Sequence, residues 1–279
     1  MQPVAIAEPA EDIAPLVFDS PHSGSIYPET FDHAIDRMTL RRSEDAHIDE
    51  IFAHVTEFGG TLVHALFPRV FIDPNRNEDD IDLSLVEGEW TGPVNASFKT
   101  TERGVGLIWR DMKAFGPVYD RKLLPDEVRE RIEGYWRPYH NALAKVIDAR
   151  HAAFGRVIHI DCHSMASMGD ITTEDGPVPR PDFVISDREG TTCAPALLEC
   201  VVDLLRGEGF SVSVNDPYKG MELVRRHGRP EDGRHSLQVE INRKLYMDEA
   251  TLSKRPGFHD TIATMRRLTD ALRNLASTL

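Results

Sequence analysis

The sequence predicts an α/β protein: a mixed, mostly parallel β-sheet flanked by helices. Three observations carry this. Short apolar runs alternate with longer segments of helical periodicity along the 279 residues. Most of the runs end in glycine, proline or polar residues. Hydrophobic residues make up 41% and charged residues 28% of the chain, enough apolar material for a sizeable core. Alternating strands and helices then favour a layered α/β architecture. We expect a single domain over 1–279 with a long excursion at about 74–124.

PLVFD (15–19) is a short strand, broken by Ser20-Pro21-His22-Ser23-Gly24. Residues 43–58 predict a helix with Ser43 as N-cap and Gly59-Gly60 as the stop; Ile48, Ile51, Phe52 and Val55 follow helical spacing. TLVHALF (61–67) and RVFID (69–73) predict strands. Residues 74–124 hold proline, glycine and acids with little periodicity, and an excursion of that length in a compact domain usually means a functional lid or insertion. Residues 125–154 predict one long helix or two, interrupted at Pro138. RVIHIDCH (156–163), PDFVISD (181–187) and FSVSVND (210–216) predict strands, and HSLQVEINRKLY (235–246) a strand running into a loop. Residues 194–209 and 258–276 predict helices.

Composition excludes several classes. Lys plus Arg is 32 and Asp plus Glu is 46, a net charge of −14, which argues against a nucleic-acid backbone binder. No apolar run reaches the roughly 18–20 residues of a membrane helix, so no membrane partner is expected. The first residues carry acids and no basic region, which predicts no secretory signal. Cys162, Cys193 and Cys200 form no CxxC, which reads as reduced thiols in a cytoplasmic protein. HExxH, GxSxG, a Walker loop and GxGxxG are absent. The run Asn77-Glu78-Asp79-Asp80-Ile81-Asp82 lacks calcium-loop spacing and reads as a solvated loop.

Sites in such sheets collect at the carboxyl ends of strands. Three ends carry chemistry: Asp19-Ser20-Pro21-His22-Ser23-Gly24, Asp161-Cys162-His163-Ser164 and Gln238-Val239-Glu240-Ile241-Asn242-Arg243. Two histidines from different strands plus an acid, Glu44 or Asp45, would suit a zinc site with an open position. A second carboxylate off the metal would accept a proton from water, and Glu240 fits that role. His159 and His163 lie about 13 Å apart along one strand, too far to share an ion. Glu44 and His47 have the Glu-x-x-His spacing of di-iron bundles, but no second copy exists. The bland readings are a capping His22, a carbonyl-bound His163 and structural ion pairs for the arginines.

Phe18–Gly24, Ile72-Asp73-Pro74-Asn75-Arg76, Asp161–Ser164 and Gln238–Tyr246, in this order, resemble the N-formylglutamate amidohydrolase family over roughly residues 15–250. Residues 44–50 also resemble its deformylase branch. The resemblance implies a fold like the zinc carboxypeptidase and phosphorylase-hydrolase group. It implies hydrolysis of N-formyl-L-glutamate to formate and L-glutamate in histidine degradation, with one divalent ion, Zn2+. By position, His22, Asp45 and His163 would be metal ligands, Asp45 being favoured over Glu44, and Glu240 the general base and acid. The family usually has an apolar residue where Pro74 stands here. A dianionic small-molecule substrate facing a chain of charge −14 needs local cations. Arg76 beside Asn75, Arg243, and Arg110 from the excursion are the candidates. Rivals are a related zinc amidohydrolase acting on another N-acyl amino acid or a cell-wall amide, a silent binder of acidic metabolites, and a hydrolase using Ser23, Ser164 or Cys162. The sequence leaves the oligomeric state open.

Overall fold

A computed structural model describes residues 2–11, 13–112, 115–169 and 175–279. The elements run β1 (Val4–Ala7), β2 (Leu16–Ser20), α1 (Arg37–Arg41), α2 (Ile48–Phe52), β3 (Thr61–Ala65), α3 (Phe98–Arg103), β4 (Asp111–Met112), β5 (Gly116–Pro117), α4 (Pro125–Arg131), α5 (Arg137–Phe154), β6 (Val157–Met165), β7 (Phe183–Ser186), α6 (Pro195–Gly207), β8 (Val212–Val214), α7 (Glu222–His227), β9 (Arg234–Asn242) and α8 (Gly257–Leu275). Seven strands form one sheet in the order β1-β3-β2-β6-β9-β7-β8, and β4 and β5 form a small separate ladder. β2 pairs with β6, β6 with β9, and β7 with β8 in parallel, whereas β7 meets β9 antiparallel. The mixed, mostly parallel sheet with flanking helices is the architecture predicted from the alternating pattern.

Packing groups the chain into two compact units. One comprises Met1–Ala5, Pro21–Glu44 and His64–Ala142; the other comprises Ile6–Ser20, Asp45–Val63 and Leu143–Leu279. In the second unit, strand alternation separates two faces. Leu16, Phe18, Ile158, Ile160, Cys162, Leu237, Val239 and Ile241 join a buried apolar cluster with residues of α2, α6 and α8. The alternate residues Asp19, His159, Asp161, His163, Ser236, Gln238 and Glu240 are buried too, yet polar. A buried polar face has to be satisfied by mutual contacts or put to chemical use.

In the first unit, residues predicted as the strand 69–73 form turns instead. Val70, Phe71 and Ile72 are buried as the apolar run suggests. Their backbone groups, however, find other partners. Phe71 N–H bonds to the Pro68 carbonyl, Asp73 N–H to the Leu107 carbonyl at 2.7 Å, and the Phe71 carbonyl accepts from the Arg131 guanidinium at 3.1 Å. Arg131 also stacks on the Phe71 ring, 4.2 Å from its centroid.

The predicted helix 43–58 is shorter than its pattern. Helical geometry starts at Ile48, after His47 in the left-handed region at φ 69°, and a 3-10 turn covers Ala53–Phe58. Ser43 does not cap it; its hydroxyl donates to the Leu40 carbonyl. Glu44 and His47 therefore do not share a helix face. The predicted break in 125–154 is a π-helical turn at Ile132–Trp136, ending two residues before Pro138, whose missing N–H cannot complete a regular helical ladder. The predicted excursion holds the short elements α3, β4 and β5, and residues 113 and 114 lie outside the described residues. No helix among the described residues is long and apolar enough to cross a membrane. The three cysteines form no disulfide.

Candidate metal centre and catalytic carboxylate

His22 stands two residues beyond β2, in the turn that its sequence predicts. The tightness of that turn requires Gly24: a Cβ there would come within 2.3 Å of the Phe67 carbonyl oxygen. The His22 ring is 1% exposed. Its Nε2 meets Asp73 Oδ1 at 2.7 Å. Asp73 itself is held from several sides. Arg69 Nη2 donates to Oδ2 at 3.0 Å, Trp109 Nε1 donates to Oδ2 at 3.3 Å, and the Asn75 backbone N–H donates to Oδ1 at 2.9 Å. Burial alone would raise the Asp73 pKa, but Arg69, His22 and Arg76 outweigh it and hold the carboxyl well below the usual range.

His163 belongs to β6 and is held by two acids. Its Nδ1 meets Asp45 Oδ2 at 3.0 Å, and its Nε2 meets Asp161 Oδ1 at 2.7 Å. Asp161 lies on the same strand two residues earlier, hence on the same face. Burial disfavours a charged imidazole here, yet Asp161, Asp45 and Glu240 more than compensate and raise its pKa well above the ordinary value. The pocket around this ring is thus built for positive charge.

His22, Asp45 and His163 are all buried, and each offers one ligand atom within 4.8 Å of the others. The chemistry of this set fits a borderline divalent ion: two imidazoles and one carboxylate are donors that zinc accepts. In both histidines the nitrogen Nε2 is occupied by a carboxylate that fixes the ring, the usual outer arrangement of metal-binding imidazoles. Of the two candidate acids, Asp45 is in the group. Glu44 instead accepts from the Tyr27 hydroxyl at 2.9 Å and from Arg41 at 3.1 Å, and burial raises its pKa.

Glu240 sits on β9 directly across the parallel register from His163 and is 7% exposed. The Gln238 amide donates to its Oε1 at 2.9 Å. The arginines divide. Arg76 is 7% exposed, and its guanidinium donates to backbone carbonyls, Nε to Val105 at 3.1 Å and Nη1 to Asn75 at 3.2 Å. No ion pair within 4.0 Å joins it to a carboxylate among the described residues. Burial lowers its pKa, so a buried anion would be welcome beside it. The neighbouring Asn75 is likewise buried. Arg243, expected from the sequence as a substrate anchor, donates through Nη2 to Asp45 Oδ1 at 3.0 Å and through Nε to the Ser164 hydroxyl at 3.1 Å. Arg110 is tied to Asp82 at 2.6 Å and is one-third exposed, the geometry of a loop ion pair.

Asp19, His159 and Ser236 make a second chain of contacts, at 2.8 and 2.7 Å, that has the composition of a nucleophile relay. All three are at most 1% exposed, and these contacts pin β2, β6 and β9 together. Cys162 points into the apolar cluster, where burial keeps its thiol protonated. Sequence reasoning missed the partners Asp73 and Asp161. The period of two along β6 carries the signal for Asp161. The contact of Asp73 with His22 spans 51 residues and has no local signal.

The family model described as N-formylglutamate amidohydrolase matches residues 14–247. An N-formylglutamate deformylase of Pseudomonas putida is 28% identical over 239 residues, covering 84% of this chain and 82% of that one. That of Pseudomonas aeruginosa is 28% identical over 267 residues, with 92% of each covered. The crystal structure of an N-formylglutamate amidohydrolase from Ralstonia eutropha JMP134 superposes with a TM-score of 0.91 at 43% identity, over 99% of this chain and 98% of that one. The ordered strand-end motifs, the fold and these matches together establish that the chain belongs to the N-formylglutamate amidohydrolase family.

Proposed function

We propose that this chain hydrolyses N-formyl-L-glutamate to formate and L-glutamate with the help of one divalent ion, zinc, held by His22, Asp45 and His163. The observation that carries the reading is the buried His22–Asp45–His163 group with Glu240 in register beside His163. When bound, the ion would supply a Lewis acid for the formyl oxygen and acidify water toward a pKa of about 7.

The residues of the chain do the rest. Asp73 and Asp161 orient the two imidazoles and keep them from rotating. Arg243 and Ser164 steady Asp45, which makes Arg243 a positioning residue in this scheme. Glu240 accepts the proton of the attacking water and hands it to the leaving glutamate nitrogen, so that a neutral amine departs. Arg76, buried and paired only with carbonyls, receives a substrate carboxylate, with Asn75 at its side. That local cation is what a dianionic substrate requires against a net charge of −14. Arg110 is left to its structural pair with Asp82. Reduced thiols fit a cytoplasmic location, and the family resemblance supports a place in histidine degradation.

The test is formate release from N-formylglutamate by the purified chain, before and after dialysis against a chelator. We expect release, loss on chelation and recovery with zinc. Release that ignores the chelator would remove the metal, and no release would remove the substrate assignment.

A further inference from the structure

Beyond the metal group and its carboxylate, the polar face of the sheet has a neighbour that no motif marks. Tyr218 lies between β8 and α7 and is anchored at both ends of its residue. Its backbone carbonyl accepts the Ser186 hydroxyl at 2.6 Å, and Ser186 is the antiparallel register partner of Gln238, whose amide holds Glu240. Its ring lies 5.3 Å from the guanidinium carbon of Arg180. Arg180 is 5% exposed and clamped by Asp175, at 2.7 and 3.0 Å. The same stretch is tied to the end of β9, because the Asn242 side-chain amide donates to the carbonyls of Arg180 and Pro181 at 3.2 and 2.9 Å.

The phenol is therefore positioned by its backbone and its ring, while its oxygen has no assigned partner: among the described residues the Tyr218 hydroxyl meets no hydrogen-bonding group. Tyr218 is half-buried, at the margin of the polar face rather than sealed inside it. Burial and the nearby charge of Glu240 both oppose ionisation and raise the Tyr218 pKa. The group is a permanent neutral donor, suited to an oxygen that gains negative charge during reaction. It is poorly suited to a carboxylate, which a cation such as Arg76 serves better.

We infer that Tyr218, seated on Arg180, donates its hydroxyl hydrogen bond to the carbonyl oxygen of the substrate's formamide beside Glu240. The inference rests on the amidohydrolase reading proposed above. It involves no bond making at the phenol, only a hydrogen bond that strengthens as the carbonyl oxygen becomes an oxyanion.

The experiment compares the zinc-loaded wild type with Tyr218→Phe, which keeps the ring on Arg180. Formate release, zinc content, thermal midpoint and glutamate binding by calorimetry are measured on both. We expect kcat to fall at least about tenfold, as loss of one oxyanion donor does. Zinc content, midpoint and glutamate affinity should be unchanged, since the product has lost the formyl group. Turnover within twofold of wild type overturns the inference while leaving the amidohydrolase reading intact. So does a loss of turnover accompanied by a loss of zinc or a lowered midpoint that Tyr218→Trp, which also lacks the phenol, does not share. A wild type that releases no formate removes both readings together.

Discussion

His163 and Glu240 are register partners on the adjacent parallel strands β6 and β9. Neighbouring strands run about 4.8 Å apart, and paired residues project to the same face. A candidate metal ligand and a candidate proton carrier are thereby fixed by sheet hydrogen bonding rather than by loops. Sites on regular elements are held more tightly than sites on loops. The relationship also makes separate predictions possible for the two side chains.

Replacing Glu240 by Gln keeps the volume and retains a polar partner for Gln238. Zinc content should be unchanged and turnover should fall by about 10²–10⁴. The check is metal analysis alongside steady-state formate release. Near-normal turnover would take the proton-transfer role away from Glu240.

Asp73 and Asp161 each occupy the Nε2 of one candidate ligand. Substituting either by Asn should weaken zinc affinity about 10–100-fold, measured by competition with a coloured chelator. The fold should persist in Asp161→Asn. Asp73→Asn should also lower stability, since Arg69 loses its buried partner.

These two acids show where the sequence is transparent and where it is opaque. Asp161 is two residues from His163 on a strand whose alternation is plain in VIHIDCH, so its face is legible. Asp73 belongs to an apolar run that imitates a strand. Its real bonding, to the Leu107 carbonyl through its N–H and to His22 and Arg69 through its carboxylate, depends on contacts the local pattern cannot show. The helix predicted from Ser43 fails for a related reason. Glu44 and Asp45 look like a first turn, but the chain stays non-helical through a left-handed His47, so Glu44 pairs with Tyr27 while Asp45 joins the histidines. His47 can hold that conformation because its ring bonds Glu50 and the Leu252 carbonyl. Tyr218 had no signal at all.

Arg76→Met should raise KM for N-formylglutamate far more than for a neutral formamide, by roughly 10–100-fold for loss of one charge-assisted pair. Parallel substrate titrations check this. Equal effects on both substrates would make Arg76 a residue of the fold.

Acid stability offers an independent test within the first unit. Arg121 donates to both Glu127 oxygens at 2.9 and 2.7 Å, and that pairing lowers the Glu127 pKa from 4.5 to about 2. Because the folded value is depressed, the contribution is complete above 4.5 and is lost as pH falls toward about 2. Thermal midpoints recorded across that window should drop less steeply for Glu127→Gln than for wild type. An identical slope would show that the pair adds nothing to acid stability.

The most direct measurement is the zinc stoichiometry of the purified wild type and of His163→Ala, by elemental mass spectrometry. A metal site at His22, Asp45 and His163 requires one zinc per chain in the wild type and a fraction near zero in a variant that still melts cooperatively. A folded His163→Ala that retains its full complement would contradict it, as would a wild type that binds no divalent ion when zinc is supplied.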